Sequence, residues 1–131
     1  MTREMMFPLL LFLFLLGRCS ADVGTATFYN PPYAPTKCYG NDTSQFPANN
    51  LFAAASDSIW DNGAACGREY TVRCLSDASS ADPCVANSAI QVRIVDYRTA
   101  AGTTMLLSSD AFQATADPNM ATTINFEFQQ V

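Results

Sequence analysis

Beyond residue 21 the chain carries four cysteines, Cys38, Cys66, Cys74 and Cys84, and nothing else in it restricts the fold as strongly. An even set in a short chain reads as a disulfide framework, and four cysteines allow three pairings. Each bridge contributes about 2–4 kcal/mol, which a domain this small can use. A four-cysteine zinc site is the competing reading, but the chain has no CxxC step to build one. The fifth cysteine, Cys19, falls in a segment, residues 1–21, that reads as a signal peptide. Arg3 gives a basic start, Met5 to Leu16 an apolar stretch, and Cys19-Ser20-Ala21 the small residues of a cleavage site. That stretch of about a dozen residues is short for a hydrocarbon layer of roughly 30 Å, so no membrane span is expected. The expected product is therefore extracellular, with an oxidising route that favours the bridges.

Residues 22–131 have the length of one domain. Without Glu4, Arg3 and Arg18 this part holds 11 acidic and 5 basic residues, a formal charge of −6. An acidic chain with no basic stripe repels phosphate backbones and anionic lipid, which argues against nucleic-acid and membrane-surface partners. Asn41-Asp42-Thr43 is an N-glycosylation sequon, so Asn41 is a candidate modification site.

The chain then reads as strands separated by turns. Gly24 to Tyr29 is rich in β-branched and aromatic residues and is stopped by Asn30-Pro31-Pro32. An irregular stretch runs to about Asn50, with Cys38 available to tie it down. Leu51 to Ala55 suits a strand buried on both faces, and Asp61-Asn62-Gly63 a turn. Tyr70, Val72 and Cys74 alternate with Glu69, Thr71 and Arg73. Ile90, Val92 and Ile94 alternate ahead of Asp96, and Ile124, Phe126 and Phe128 alternate with polar residues, all as half-buried strands do. One segment argues for a helix, capped by Ser108 or Ser109, favoured by Asp110 and ended by Asp117-Pro118-Asn119.

The catalytic repertoire is narrow. Histidine is absent, which removes the commonest general base and metal ligand. With the cysteines in bridges there is no thiolate, and no glycine-rich phosphate loop is present, so no metal and no cofactor are expected. Carboxylates remain, and paired carboxylates mean glycoside hydrolysis. Asp96, at the end of a buried strand, is the first candidate; its bland alternative is a strand-end turn. Trp60, flanked by Asp57 and Asp61, can be a sugar-stacking platform or simply a core plug. Tyr29, Tyr33 and Tyr39 can line a groove with it or only pack loops.

The run from Ala53 to Cys74, together with GTATFY at Gly24 to Tyr29, CYG at Cys38 to Gly40, VRIVD at Val92 to Asp96 and LSSDAF at Leu107 to Phe112, resembles the expansin-like, family-45 endoglucanase-like domains. Among these it is most similar to the plant natriuretic peptides and blight-associated secreted proteins. The resemblance covers nearly all of residues 22–131. It implies an all-β fold, a six-stranded double-psi β-barrel with one short helix, and the pairings Cys38–Cys66 and Cys74–Cys84. It also implies a vestigial polysaccharide groove of Thr27, Tyr29, Trp60 and Asp96.

Departures from the family bear on activity. Glu69 and Tyr97 stand where relatives carry a further pair of cysteines. The hydrolases place a base aspartate where this chain has Asn30-Pro31 and their acid where it has Leu106. With neither carboxylate, acid–base hydrolysis is not expected. The resemblance then implies a secreted, monomeric apoplastic protein of the natriuretic type, signalling in water and ion balance and stress through a cell-surface receptor. The alternative is a weak, non-hydrolytic binder of cell-wall polysaccharide.

Overall fold

Each alternating run becomes a strand with one dry face. In the computed structural model, which describes residues 21–77, 82–86 and 89–131, these are β1 (Asp22–Tyr29), β2 (Phe52–Ala55), β3 (Glu69–Ser76), β4 (Ala89–Tyr97), β5 (Met105–Ser108) and β6 (Ile124–Gln130). The expected leader, apart from Ala21, lies outside the described residues, as does part of the excursion between Cys74 and Cys84. The strands close in the order β1-β5-β2-β4-β3-β6, with β6 returning to β1. The β1–β5 and β2–β4 pairs are parallel and the other four antiparallel. Closure leaves no sheet edge unpaired.

Tyr70, Val72, Cys74, Val92, Ile94, Ile124, Phe126 and Phe128 fill the interior. Burying one such large side chain contributes about 1.5–3 kcal/mol, so the interior dominates the stability. β5 was not foreseen as a strand. All four of its residues are buried, so it shows no alternation for a period of two to reveal. β1 passes close to Thr104: a Cβ on Gly24 would sit 2.4 Å from Thr104 Oγ1, so only glycine fits there.

Two α-helices lie among the described residues. In α1 (Asp57–Trp60) a single turn follows Ser56 and stops where Asp61, Asn62 and Gly63 adopt φ of 54°, 52° and 94°. These are left-handed conformations that end a helix. The sequence marked the turn but not this helix. α2 (Ser109–Thr115) is the expected one, and the Ser108 hydroxyl accepts the Ala111 N–H at 3.0 Å. Its Phe112 packs on Phe28 with ring centroids 5.0 Å apart.

A second apolar cluster lies outside the barrel wall. Tyr29, Phe52, Ala54, Val95 and Leu106 face outward, and Tyr33, Tyr39 and Phe46 from the long loop cover them. Phe46 and Tyr33 contact the Phe52 ring at 4.5 and 4.8 Å. The Cys38–Cys66 disulfide pins this loop to the barrel, and Cys74–Cys84 closes the excursion after β3.

Candidate functional site

A β-bulge builds the site. Along β2 and β4, Ala53 pairs with Ile94 but Ala54 pairs with Asp96, so Val95 is an extra residue. Strict alternation from Val92 and Ile94 would send Asp96 into the barrel interior. The bulge restores it to the outer face with Ala54 and Tyr29. There Asp96 is 4% exposed, and one of its carboxylate oxygens holds two hydrogen bonds. Oδ1 accepts the backbone N–H of Lys37 and of Tyr97, each at 2.8 Å. Oδ2 lies 3.8 Å from Arg98 Nε.

Tyr29 lies beside it, 6% exposed, with the Arg98 guanidinium carbon 4.7 Å from its ring centroid and Tyr33 edge-on at 5.1 Å. The Tyr29 hydroxyl is buried and has no hydrogen-bond partner among the described residues. Leaving such a group unpaired costs about 1–3 kcal/mol. Burial, and then the Asp96 carboxylate, push the Tyr29 phenol well above its ordinary range, with Arg98 opposing.

The aromatic part of the site is a pair. Trp60 stacks on Tyr97 with centroids 4.9 Å apart and an interplanar angle of 29°. The Tyr97 phenol donates to Asp57 Oδ1, and that bond, ahead of burial, raises its pKa. Three depressions adjoin here. One of about 310 Å³ is lined by Pro35, Thr36, Lys37, Asp96, Tyr97 and Arg98. The next, about 400 Å³, shares Lys37, Tyr97 and Arg98 with it and adds Thr99 and Leu106. A third, about 490 Å³, continues from Thr99 to Thr104 and reaches Asp57. Shared lining residues make them one groove along the barrel wall.

Thr27, Tyr29 and Asp96 therefore lie on one outer face. Thr27 is paired in register with Leu106 and spends its hydroxyl on the Thr122 carbonyl at 2.7 Å. Trp60 packs against the interior cluster, lines none of the three depressions and reaches this face only through its stack on Tyr97. Tyr33 and Tyr39 pack the covering loop; the Tyr33 hydroxyl bonds Ser109. Leu106 is buried in the outer cluster and adjoins the second depression. Asn41 is exposed. Sequence reasoning missed Lys37, Arg98 and Tyr97 as site residues. For the last two, the cue was position: they directly follow the aspartate at a strand end.

Comparison with known proteins agrees with this fold. Residues 52–128 match a double-psi β-barrel family model described as lytic transglycolase. The chain is 41% identical over 115 residues to an EG45-like domain containing protein of Citrus jambhiri, covering 84% of this chain and 82% of that one. It is 35% identical to the putative EG45-like domain containing protein 1 of Arabidopsis thaliana, over 98% of both chains. Among solved structures it is similar to a mutant expansin of Clavibacter michiganensis in complex with cellohexaose, with a TM-score of 0.64 and 22% identity over 85% of this chain. The apo form of that expansin gives the same TM-score at 24% identity. The chain spans about half the length of the expansin, 50%, and the likeness to it is one of fold.

Proposed function

The chain belongs to the expansin-like, EG45-like family of double-psi β-barrel domains, and from that premise we propose that it is a secreted wall protein that binds polysaccharide without cutting it. The observation that carries this is the state of Asp96. Its Oδ1 already accepts two backbone N–H groups and its other oxygen faces Arg98. Hydrolysis needs one carboxyl free to protonate a leaving oxygen and another to activate water. The other groove carboxylate, Asp57, is exposed and holds the Tyr97 phenol. What remains suits binding: an open groove, the Tyr97 ring at one side with Trp60 stacked on it, and polar groups along the wall.

The related expansin whose structure contains cellohexaose supports a β-glucan as the first ligand to try. Co-sedimentation of the protein of residues 22–131 with insoluble wall glucans tests the reading. Retention in the pellet, weakened roughly threefold to tenfold by Trp60→Ala, is expected. A protein that stays in the supernatant at every glucan concentration removes β-glucan as the ligand, and one that binds no wall polysaccharide at all overturns the reading.

A second reading, extracellular signalling of the natriuretic type, is favoured by one observation. Residues Gly40 to Gln45 are all exposed on a loop whose start is fixed by the Cys38–Cys66 bridge and by paired Thr36–Gly40 backbone bonds at 2.8 and 2.9 Å. A defined exposed loop is a good receptor-recognition element. A cyclised peptide spanning Cys38 to Cys66 should then reproduce the full chain's effect on protoplast swelling. An inert peptide beside an active protein removes the loop from consideration.

A further inference from the structure

The distribution of cations carries the polysaccharide reading one step further. Five basic residues lie in residues 22–131. Three are paired with surface carboxylates: Arg68 with Asp61 at 2.7 Å, Arg73 with Glu127 at 3.1 Å and Arg93 with Glu69 at 3.1 Å. The other two, Lys37 and Arg98, line the same two adjoining depressions. The Lys37 ammonium has no carboxylate within ion-pair distance among the described residues, while its backbone N–H is the group bound to Asp96. Arg98 stands only at 3.8 Å from Asp96 and is 45% exposed, and Asp96 Oδ1 is taken by two N–H donors. Beneath the Arg98 guanidinium lies the face of the buried Tyr29 ring, which adds no counter-charge. On a chain with a net negative charge, the two least satisfied cations thus share one stretch of groove.

We propose that this stretch takes a carboxylate-bearing polysaccharide, a uronate chain, with Lys37 and Arg98 meeting sugar carboxylates and the Tyr97 ring, held by its stack on Trp60, supplying sugar-ring contact. This rests on the polysaccharide-binding reading and specifies its ligand. A neutral glucan would leave both cations unanswered. A guanidinium flanked by an ammonium suits a planar carboxylate on successive sugars. The overall negative charge does not forbid such contacts, because at physiological ionic strength distant charges are screened beyond about 8 Å.

The experiment compares three polymers on the protein of residues 22–131 at fixed ionic strength: polygalacturonate, its fully methyl-esterified form, and a soluble neutral β-glucan, read by affinity electrophoresis and titration. Binding to polygalacturonate should be roughly tenfold tighter than to the ester, as two exposed charge contacts provide, and should weaken as salt is raised. In Lys37→Gln/Arg98→Gln the ratio of acidic to esterified affinity should fall toward one. Lys37→Gln alone, which keeps the backbone N–H to Asp96, should fall part of the way and guards against misfolding of the double variant. Arg73→Gln, which removes a cation bonded to Glu127 on another part of the barrel, should keep the full ratio. Equal affinity for acid and ester in the wild type, or a ratio that survives the double variant, overturns the proposal. Neutral-glucan binding without acid preference overturns this inference alone, whereas no binding to any polymer overturns the polysaccharide reading with it.

Discussion

The backbone N–H of Lys37 donates to the Asp96 carboxylate at 2.8 Å, across 59 residues of sequence. Through this bond the long covering loop is fastened to the bulge in β4, and the carboxylate that the sequence offered as its first catalytic candidate takes a structural duty. Asp96→Ala removes the acceptor and leaves two N–H groups, of Lys37 and Tyr97, unanswered at a nearly buried site. The expected loss is about 1–3 kcal/mol of stability in chemical denaturation. Asp96→Asn keeps an acceptor oxygen and should lose distinctly less. Equal losses from the two would mean that the carboxylate's charge, and not its hydrogen bonding, matters.

Tyr29 provides a pH test with a definite sign. Burial and Asp96 hold its folded-state pKa above the unfolded value, so the native state keeps its proton where the unfolded chain loses it. Its contribution is fully present below the unfolded tyrosine value of about 10 and declines as pH rises above that. Denaturation midpoints measured from pH 8 upward should therefore fall less steeply in Tyr29→Phe than in wild type. At neutral pH the phenylalanine variant should be as stable as wild type or more so, by up to about 1 kcal/mol, since it removes an unpaired buried hydroxyl. A clear loss of stability at neutral pH would show that the hydroxyl has a partner in solution.

Hydrolysis should be absent. Reducing-end release from soluble β-glucans should stay at blank level for wild type, Asp96→Asn and Asp57→Asn across the pH range. Leu106→Asp should also be inactive, since an acid without a base on the opposite face of the sugar has no activated water. Release by wild type that either aspartate substitution abolishes would assign that carboxylate a catalytic role.

The Cys38–Cys66 bridge should be worth about 2–4 kcal/mol, the range for closing a loop of this kind. The double substitution Cys38→Ser/Cys66→Ser should lose that much in denaturation. It should also speed proteolysis within residues 39–50, because the bridge holds the segment that seats Phe46 on Phe52. Unchanged cleavage there would mean that the apolar contacts and the Lys37–Asp96 bond suffice to keep the loop in place.

Local chemistry determined much of this molecule. Alternation at Tyr70-Val72-Cys74, Val92-Ile94 and Ile124-Phe126-Phe128 specified strands and their dry faces, because side-chain direction in a strand has a period of two. Ser108 or Ser109 marked the start of α2, and Ser108 makes the cap within one turn. The missing histidine excluded whole classes of chemistry without any coordinates. The resemblance supplied the barrel, since strand order is not written in any one segment. Tertiary structure decided the rest. Val95 is an extra residue only relative to β2, so the outward turn of Asp96 could not be read from β4 itself. β5 is covered on both faces, which erases the pattern that would have announced it. Lys37, Tyr29 and Arg98 meet Asp96 because the barrel closes and the bridged loop folds back over its wall. A side chain's neighbours across dozens of residues follow from that closure, which no local period encodes.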